Sequence, residues 1–225
     1  SLVQDMPTGL EFNWVDTLSS GSYVKCGDNT YAGDLSWGMR FYLETGARTG
    51  GNSYPHVLSK GSEWFVISYG QTLYIYLQDE HGTEFSNGAL FDNELSYDSW
   101  HHFGMTWNAT TGILVPYLDG VSGSHQDTGC LDNLQNTTAE VCIGARTINT
   151  QISWDGYIRD CRIYNEVLSA TDMNDVFTDT YSATTPLNHW KCEDGSSTTV
   201  DDVGSLNMDG TITGTTGYTL SLIHI

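Results

Sequence analysis

Two histidines stand side by side in YDSWHHFGMTWNATTGILVPYLDG, residues 97–120, between tryptophans and ahead of an Asp-Gly pair. Tandem imidazoles are candidates for metal ligation or proton transfer. Adjacent residues of a strand point to opposite faces, so His101 and His102 are not expected to share one ion unless the strand bulges. His101 falls in phase with Phe103, Met105 and Trp107, the face expected to be buried. The pair is therefore read as scaffold, with His101 a core histidine satisfied by a hydrogen bond.

Other catalytic patterns are equally thin. A retaining glycosidase needs two carboxylates roughly 5–5.5 Å apart, which on one strand means acids two or four positions apart. No Glu-x-Asp-x-Glu triplet occurs; Asp92 and Glu94 have the spacing but sit in turn-like sequence. There is no Gly-x-Ser-x-Gly elbow and no Gly-Lys-Ser/Thr phosphate cradle. Serines and aspartates are too plentiful for a Ser-His-Asp arrangement to be read either way. The chain is expected not to be an enzyme.

The elements that must position any site are strands. SWGMRFYL sets Trp37, Met39, Phe41 and Leu43 against Gly38, Arg40 and Tyr42, and TLYIYLQ sets Leu73, Ile75 and Leu77 against Tyr74 and Tyr76. Lys60-Gly61, Tyr69-Gly70, His81-Gly82, Asn87-Gly88, Thr111-Gly112, Asp119-Gly120 and Asp155-Gly156 read as turns. LSATDMNDVF breaks the rhythm: a Ser169 cap, early acids, then Met173, Val176 and Phe177 at helical spacing predict one short helix. Residues 178–186, TDTYSATTP, read as a linker.

The 225 residues carry 24 glycines, 39% hydrophobic residues and 8 Lys+Arg against 28 Asp+Glu, a net charge of −20. That suits one large all-β domain, or one domain plus a fragment, and argues against wholesale disorder. A surface so poor in cations repels phosphate backbones, so no nucleic-acid partner is expected. No apolar run approaches the roughly 20 residues of a membrane span, so no membrane insertion is expected. Five cysteines without a C-x-x-C pair argue against a zinc knuckle. Ser1 is not an initiator methionine, so the native N-terminus is expected upstream. The last six residues, LSLIHI, translate CTG TCT CTT ATA CAC ATC, the transposase mosaic end of sequencing adapters, and are expected not to belong to the evolved protein.

Three segments together resemble the laminin-G-like, concanavalin A-like jelly-roll family, in its pentraxin-related branch: GLEFNWVDTLSSGSYVKC, the Trp-His-His strand with its Tyr-x-Asp-Gly hairpin, and CIGARTINTQISWDGYIRDCRIYNEVLSATDM. They run in the family's order from Gly9 to Phe177. The resemblance implies an all-β, two-sheet antiparallel jelly-roll sandwich with one short helix, spanning residues 1–177. A strand resembling LNHWKCEDGSSTTVDDVG commonly opens such domains but here follows the helix. Residues 187–219 therefore either complete the same sandwich as a permuted strand or begin a second, truncated domain. The second reading is preferred, because the adapter-like tail implies missing sequence.

The fold hosts many functions, so sites come from residues. Related jelly rolls often brace their loops with Ca²⁺, which the resemblance places at Asp160 and Asp201. The plain alternative for Asp160 is pairing with Arg162. Flat aromatics on loops offer faces for sugar C–H groups. Trp14 stands where the family carries a small residue, and Tyr54 and His56 lie in the polar loop ARTGGNSYPH; these three are the candidate ligand-binding residues. Trp154 has an apolar family counterpart that packs. The expectation is a non-catalytic module of an extracellular, cell-surface or virion-surface protein that binds a glycan or a surface protein. The alternative is a purely structural spacer in a larger assembly.

Overall fold

The computed structural model describes residues 9–12, 22–46, 54–86, 90–146, 153–193 and 198–213. In chain order the first strands are β1 (Leu10–Phe12), β2 (Tyr23–Lys25), β3 (Leu35–Leu43), β4 (His56–Lys60), β5 (Trp64–Tyr69), β6 (Thr72–Gln78) and β7 (Glu84–Ser86). They are followed by β8 (Ser99–Trp107), β9 (Ile113–Leu118), β10 (Val121–Ser122), β11 (Gln126–Asp127), β12 (Val141–Ile143) and β13 (Gly156–Tyr164). Helix α1 (Ala170–Phe177) precedes β14 (Asn188–Trp190), β15 (Thr199–Val200) and β16 (Gly210–Thr213). The fold is a two-sheet antiparallel jelly roll with one short helix.

The first sheet runs β1-β13-β3-β8-β9-β10, with β14 also on β13 and β11 also on β9; the second runs β15-β16-β2-β12-β4-β5-β6-β7. Between them lies one apolar core. Trp37, Met39, Phe41 and Leu43 of β3 and Phe103, Met105 and Trp107 of β8 are almost wholly buried, on the faces that alternation assigns to the interior. The indoles of Trp37, Trp64, Trp107, Trp154 and Trp190 all belong to this core. All five cysteines are buried thiols with no disulfide among them.

Helix α1 exists because the outer face of the first sheet has room for it. Gly38 and Gly104 are directly paired across β3 and β8. A Cβ on Gly104 would overlap Met173 Cε, and one on Gly38 would lie 3.0 Å from Val176 Cγ1. Met173 and Val176 fill that hollow and join Tyr117, Tyr164 and Leu168 in a second, smaller cluster. Ser169 caps the helix with its side chain, and Asp172 returns the bond in a capping box.

The segment after the helix is built into the same sandwich. Asn188–Trp190 pairs with β13, and β16 pairs with β2 in the second sheet. Trp190 is fully buried in the shared core, and its indole Nε1 donates to Met208 O at 2.8 Å. Sequence alone leaves residues 187–219 between a permuted strand of this sandwich and a second domain; among the described residues, β14 extends the first sheet and β15 and β16 extend the second.

β13 carries a bulge. Arg159 pairs with Arg40 and Arg162 with Gly38, so one extra residue lies between them, and Asp160 adopts φ 55°. As a result Arg159 and Arg162 project to the same outer face while Cys161 points into the core.

Candidate functional site

The His-His pair is scaffold in its geometry. His101 Nδ1 lies 2.8 Å from Asp119 Oδ2, and Ser96 N donates to His101 Nε2 at 3.0 Å. His102 points to the other face, under α1, with its ring 5.6 Å from that of Phe177. Burial, then the nearby Arg40 charge, lowers its pKa to about 4, so it is neutral there. The two rings cannot meet one ion.

Aromatic chemistry collects on the outer face of the second sheet. Trp64, Val66, Leu73, Ile75 and Leu77 face the core, so Phe65, Ile67 and Tyr69 of β5 and Tyr74 and Tyr76 of β6 face outward. Register sets Phe65 opposite Tyr76 and Ile67 opposite Tyr74. The Phe65 and Tyr76 rings stack with centroids 4.7 Å apart and 3° between planes. His56, at the start of β4 opposite Ile67, meets Phe65 edge-on at 5.1 Å. Arg146 follows β12; its guanidinium lies 4.6 Å from the Phe65 ring centroid while its Nε donates to Gly61 O at 2.8 Å. Tyr54 and Tyr69, with rings 5.7 Å apart and 46% and 41% exposed, stand together beside them. Tyr54, His56, Phe65, Tyr74, Tyr76 and Arg146 are among the residues that line a groove of about 390 Å³.

The groove is mostly apolar with a few polar groups at fixed places, the usual composition of a small-molecule site. Its donors include the Arg146 guanidinium and the tyrosine and Ser86 hydroxyls. Burial, then hydrogen bonding to Glu84, pushes the Tyr76 phenol up to about 12, so it stays protonated. Burial, then Arg146, lowers His56 to about 3, which makes His56 a neutral wall and not a proton donor at ordinary pH. None of the lining residues is a carboxylate. Glu84, outside the lining, is hydrogen-bonded to the Tyr76 phenol.

The structure thus brings two sequence candidates, Tyr54 and His56, into one groove. Trp14 lies outside the described residues. Trp154 is buried, edge-on to Phe41 at 5.5 Å, as packing predicts. Phe65, Tyr74, Tyr76 and Arg146 were not among the ligand-binding candidates named from sequence. The available signal was the outward phase of TLYIYLQ, which presents tyrosines where a solvated strand face would carry threonine, serine or lysine.

Asp160 and Asp201 do not form a calcium cage. Asp160 Oδ1 lies 2.7 Å from Arg162 Nε and 2.7 Å from His189 Nε2, and Oδ2 lies 3.5 Å from Arg40 Nε. Burial alone would raise its pKa, but the His189 hydrogen bond and the Arg162 charge hold it well below the usual carboxylate range. A calcium ion there would have to displace cations. Asp201 is exposed, and the buried acid of its loop is its neighbour Asp202. That carboxylate accepts from His189 N at 2.6 Å, Asn188 Nδ2 at 2.7 Å, and Gly204 N and Met208 N at 2.8 Å. These residues do not fit calcium. Among the described residues, three possible metal ligands come together only at Glu80, His81 and Asp132, all exposed.

Comparison with known proteins agrees with this architecture. Residues 18–174 match the concanavalin A-like lectin/glucanases superfamily, and the chain belongs to it. No curated protein sequence matches the chain. Among solved structures it is similar to a candidate carbohydrate-binding protein from Bacteroides ovatus, with 10% identity and TM-score 0.67 over 95% of this chain and 60% of that one. It is also similar to the heptameric SAP-like pentraxin of Limulus polyphemus, with 16% identity and TM-score 0.57 over 76% of this chain and 81% of that one. A third is the ligand-binding domain of botulinum neurotoxin serotype D in complex with N-acetylneuraminic acid, with 17% identity and TM-score 0.55 over 88% and 56%. At these identities the likeness is one of fold. No helix among the described residues is long and apolar enough to cross a membrane.

Proposed function

We propose that the chain is a non-catalytic carbohydrate-binding module of an extracellular, cell-surface or virion-surface protein. Its site is the groove formed by Tyr54, His56, Phe65, Tyr74, Tyr76 and Arg146. The observation that carries the reading is a run of outward-facing aromatic rings beside one anchored guanidinium, with no carboxylate in the lining. Aromatic faces take sugar C–H groups, and the arginine and phenols take hydroxyls. The carbohydrate association of the Bacteroides ovatus protein and the sugar complex of the neurotoxin domain support the same class of ligand. A glycan array probed with the whole chain tests it, followed by calorimetry on the strongest hit. Tyr54→Ala and Tyr76→Ala should each weaken that binding about tenfold, equivalent to about 1.4 kcal/mol. A blank array, or unchanged affinity in a folded Tyr76→Ala variant, would remove the groove from the account.

A further inference from the structure

In a chain with 28 Asp+Glu and 8 Lys+Arg, a carboxylate beside each cation is the default. Lys25, Arg40, Lys60 and Arg162 each have one within 3.5 Å. Glu193 and Asp160 act on Arg159. Arg146, partly buried in the wall of the groove, departs from that pattern: among the described residues no carboxylate pairs with it. Its Nε donates to Gly61 O at 2.8 Å, and its guanidinium lies 4.6 Å from the Phe65 ring centroid. The Nε bond leaves the two Nη groups, the fork that a carboxylate fits.

The fork is set before any ligand arrives. Ser59 Oγ donates to Ala145 O at 2.7 Å, and Gly144 N to Val57 O at 2.9 Å, so the chain leaving β12 is tied along β4. Gly61, which receives the Nε proton, lies in the β4–β5 turn at φ 51°. Its neighbour Lys60 is buried, with its amine 2.7 Å from Glu63 and 3.0 Å from Asp28. A guanidinium held at both its backbone and its Nε has little freedom left to lose on binding.

The groove also has a direction. The sheet order β12-β4-β5-β6-β7 puts Arg146 on the β12 side of Phe65 and Tyr76 on the β6 side. Beyond Tyr76, β7 carries Glu84, which bonds the Tyr76 phenol from outside the lining. His56, between these ends, is neutral. Positive charge thus stands at one end and negative charge past the other, so an anionic group is accepted only at Arg146.

We infer that the sugar taken by the groove is a uronate, its carboxylate forked on the Nη groups of Arg146 and its ring laid on the outward aromatic faces. This rests on the groove being a carbohydrate site and adds the charge of the ligand, a carboxylate in place of the hydroxyl that a neutral sugar would offer Arg146. A charge-assisted, bidentate bond is about twice as strong as a neutral one. The net charge of −20 repels an anion at long range, but salt screens that repulsion and leaves the contact with a partly buried guanidinium.

The test is calorimetry on the intact chain with the methyl glycosides of glucuronic and galacturonic acid, their methyl esters, the methyl glycosides of glucose and galactose, and sodium acetate. At least one uronide is expected to bind about tenfold or more tightly than its own ester and than the matching neutral glycoside. Arg146→Gln should abolish that preference while keeping the affinity for the ester, and Arg146→Lys should restore only part of it, since lysine lacks the fork. Acetate should bind at least about tenfold more weakly than the uronide. The comparison of acid with ester is made on the parent chain, so it decides the matter even where Arg146→Gln fails to fold. Equal affinity for uronide and ester, or a preference that survives in folded Arg146→Gln, overturns the proposal and leaves the groove a site for neutral sugars. Acetate binding as tightly as the uronide also overturns it, since the rings would then contribute nothing. If no uronide binds while the glycan array finds a neutral glycan, this proposal alone falls; if nothing binds and the array is blank, the groove falls with it.

Discussion

Asp119 Oδ2, in the turn between β9 and β10, lies 2.8 Å from His101 Nδ1 near the start of β8. The other oxygen of Asp119 accepts from His102 N, also at 2.8 Å. One turn aspartate, at φ 49°, therefore locks the strand that carries both histidines. Burial would lower the His101 pKa, but the Asp119 hydrogen bond and charge raise it above its ordinary value. For Asp119, burial would raise the pKa, and the hydrogen bonds from His101 and His102 hold it low.

Asp119→Asn is expected to cost about 1 kcal/mol, a charged hydrogen bond discounted for the exposure of Asp119. That corresponds to a fall of about 2–4 °C in Tm at this size. Asparagine tolerates the positive φ, so backbone strain is not part of the loss. The raised pKa means that the His101 contribution is fully present below about pH 6.5 and is lost as pH rises through the folded value. Thermal melts at pH 5.5 and 8.5 should show a larger difference between parent and variant at pH 5.5. Equal differences at both would mean that the ion pair contributes nothing.

His56 and His102 act in the opposite sense. Their pKa values are lowered on folding to about 3 and about 4, burial being the first cause of each. Below about pH 6.5 the unfolded chain takes up protons that the folded chain refuses, so stability falls as pH falls. Each contributes up to about 1.4 kcal/mol per pH unit in that range. Urea midpoints measured from pH 7 to pH 5 should decline, and the decline should be shallower in His56→Gln. A flat profile would mean that His56 and His102 titrate normally.

Gly104→Val should lift α1 from the sheet, because the new side chain takes the space of Met173 Cε. Overpacking of this kind costs about 1–3 kcal/mol. Adding Met173→Ala should recover part of that loss. Additive costs in the double-mutant cycle would show that the two residues do not share the hollow.

Calcium is expected not to act through Asp160 or Asp201, since Asp160 is already paired with Arg162 and His189. Melts in EDTA and in millimolar CaCl₂ should differ no more in the parent than in Asp160→Asn. A calcium-dependent rise in Tm that disappears in that variant would place the ion there, and at 100 times its Kd it would amount to about 2.7 kcal/mol.

Much of this molecule was legible in its residues. Period-two alternation assigned the core faces of β3, β6 and β8, Ser169 with its following acids marked α1, and strand geometry alone denied the two histidines a common ion. Tyr54 and His56 were nameable as ligand-binding candidates from their place in the polar stretch ARTGGNSYPH, although His56 proves to be a buried residue at the start of β4. Those signals are local, decided within a few residues by stereochemistry and by the hydrophobic effect.

Residues distant in sequence required the fold. Tyr76, Phe65 and Arg146 become one surface only through the register of β5 on β6 and the position of β12. Arg40, Arg162 and His189 meet at Asp160 only because a bulge reverses the alternation of β13 and because β14 returns to pair beside it. The same long-range pairing put β14, β15 and β16 on the two sheets, and it surrounded Asp160 with cations where sequence had suggested calcium. Alternation, caps and turns are written in the sequence because their physics spans a few residues; strand partners are selected by the burial and hydrogen-bonding of the whole sheet, and that selection exists only in the tertiary structure.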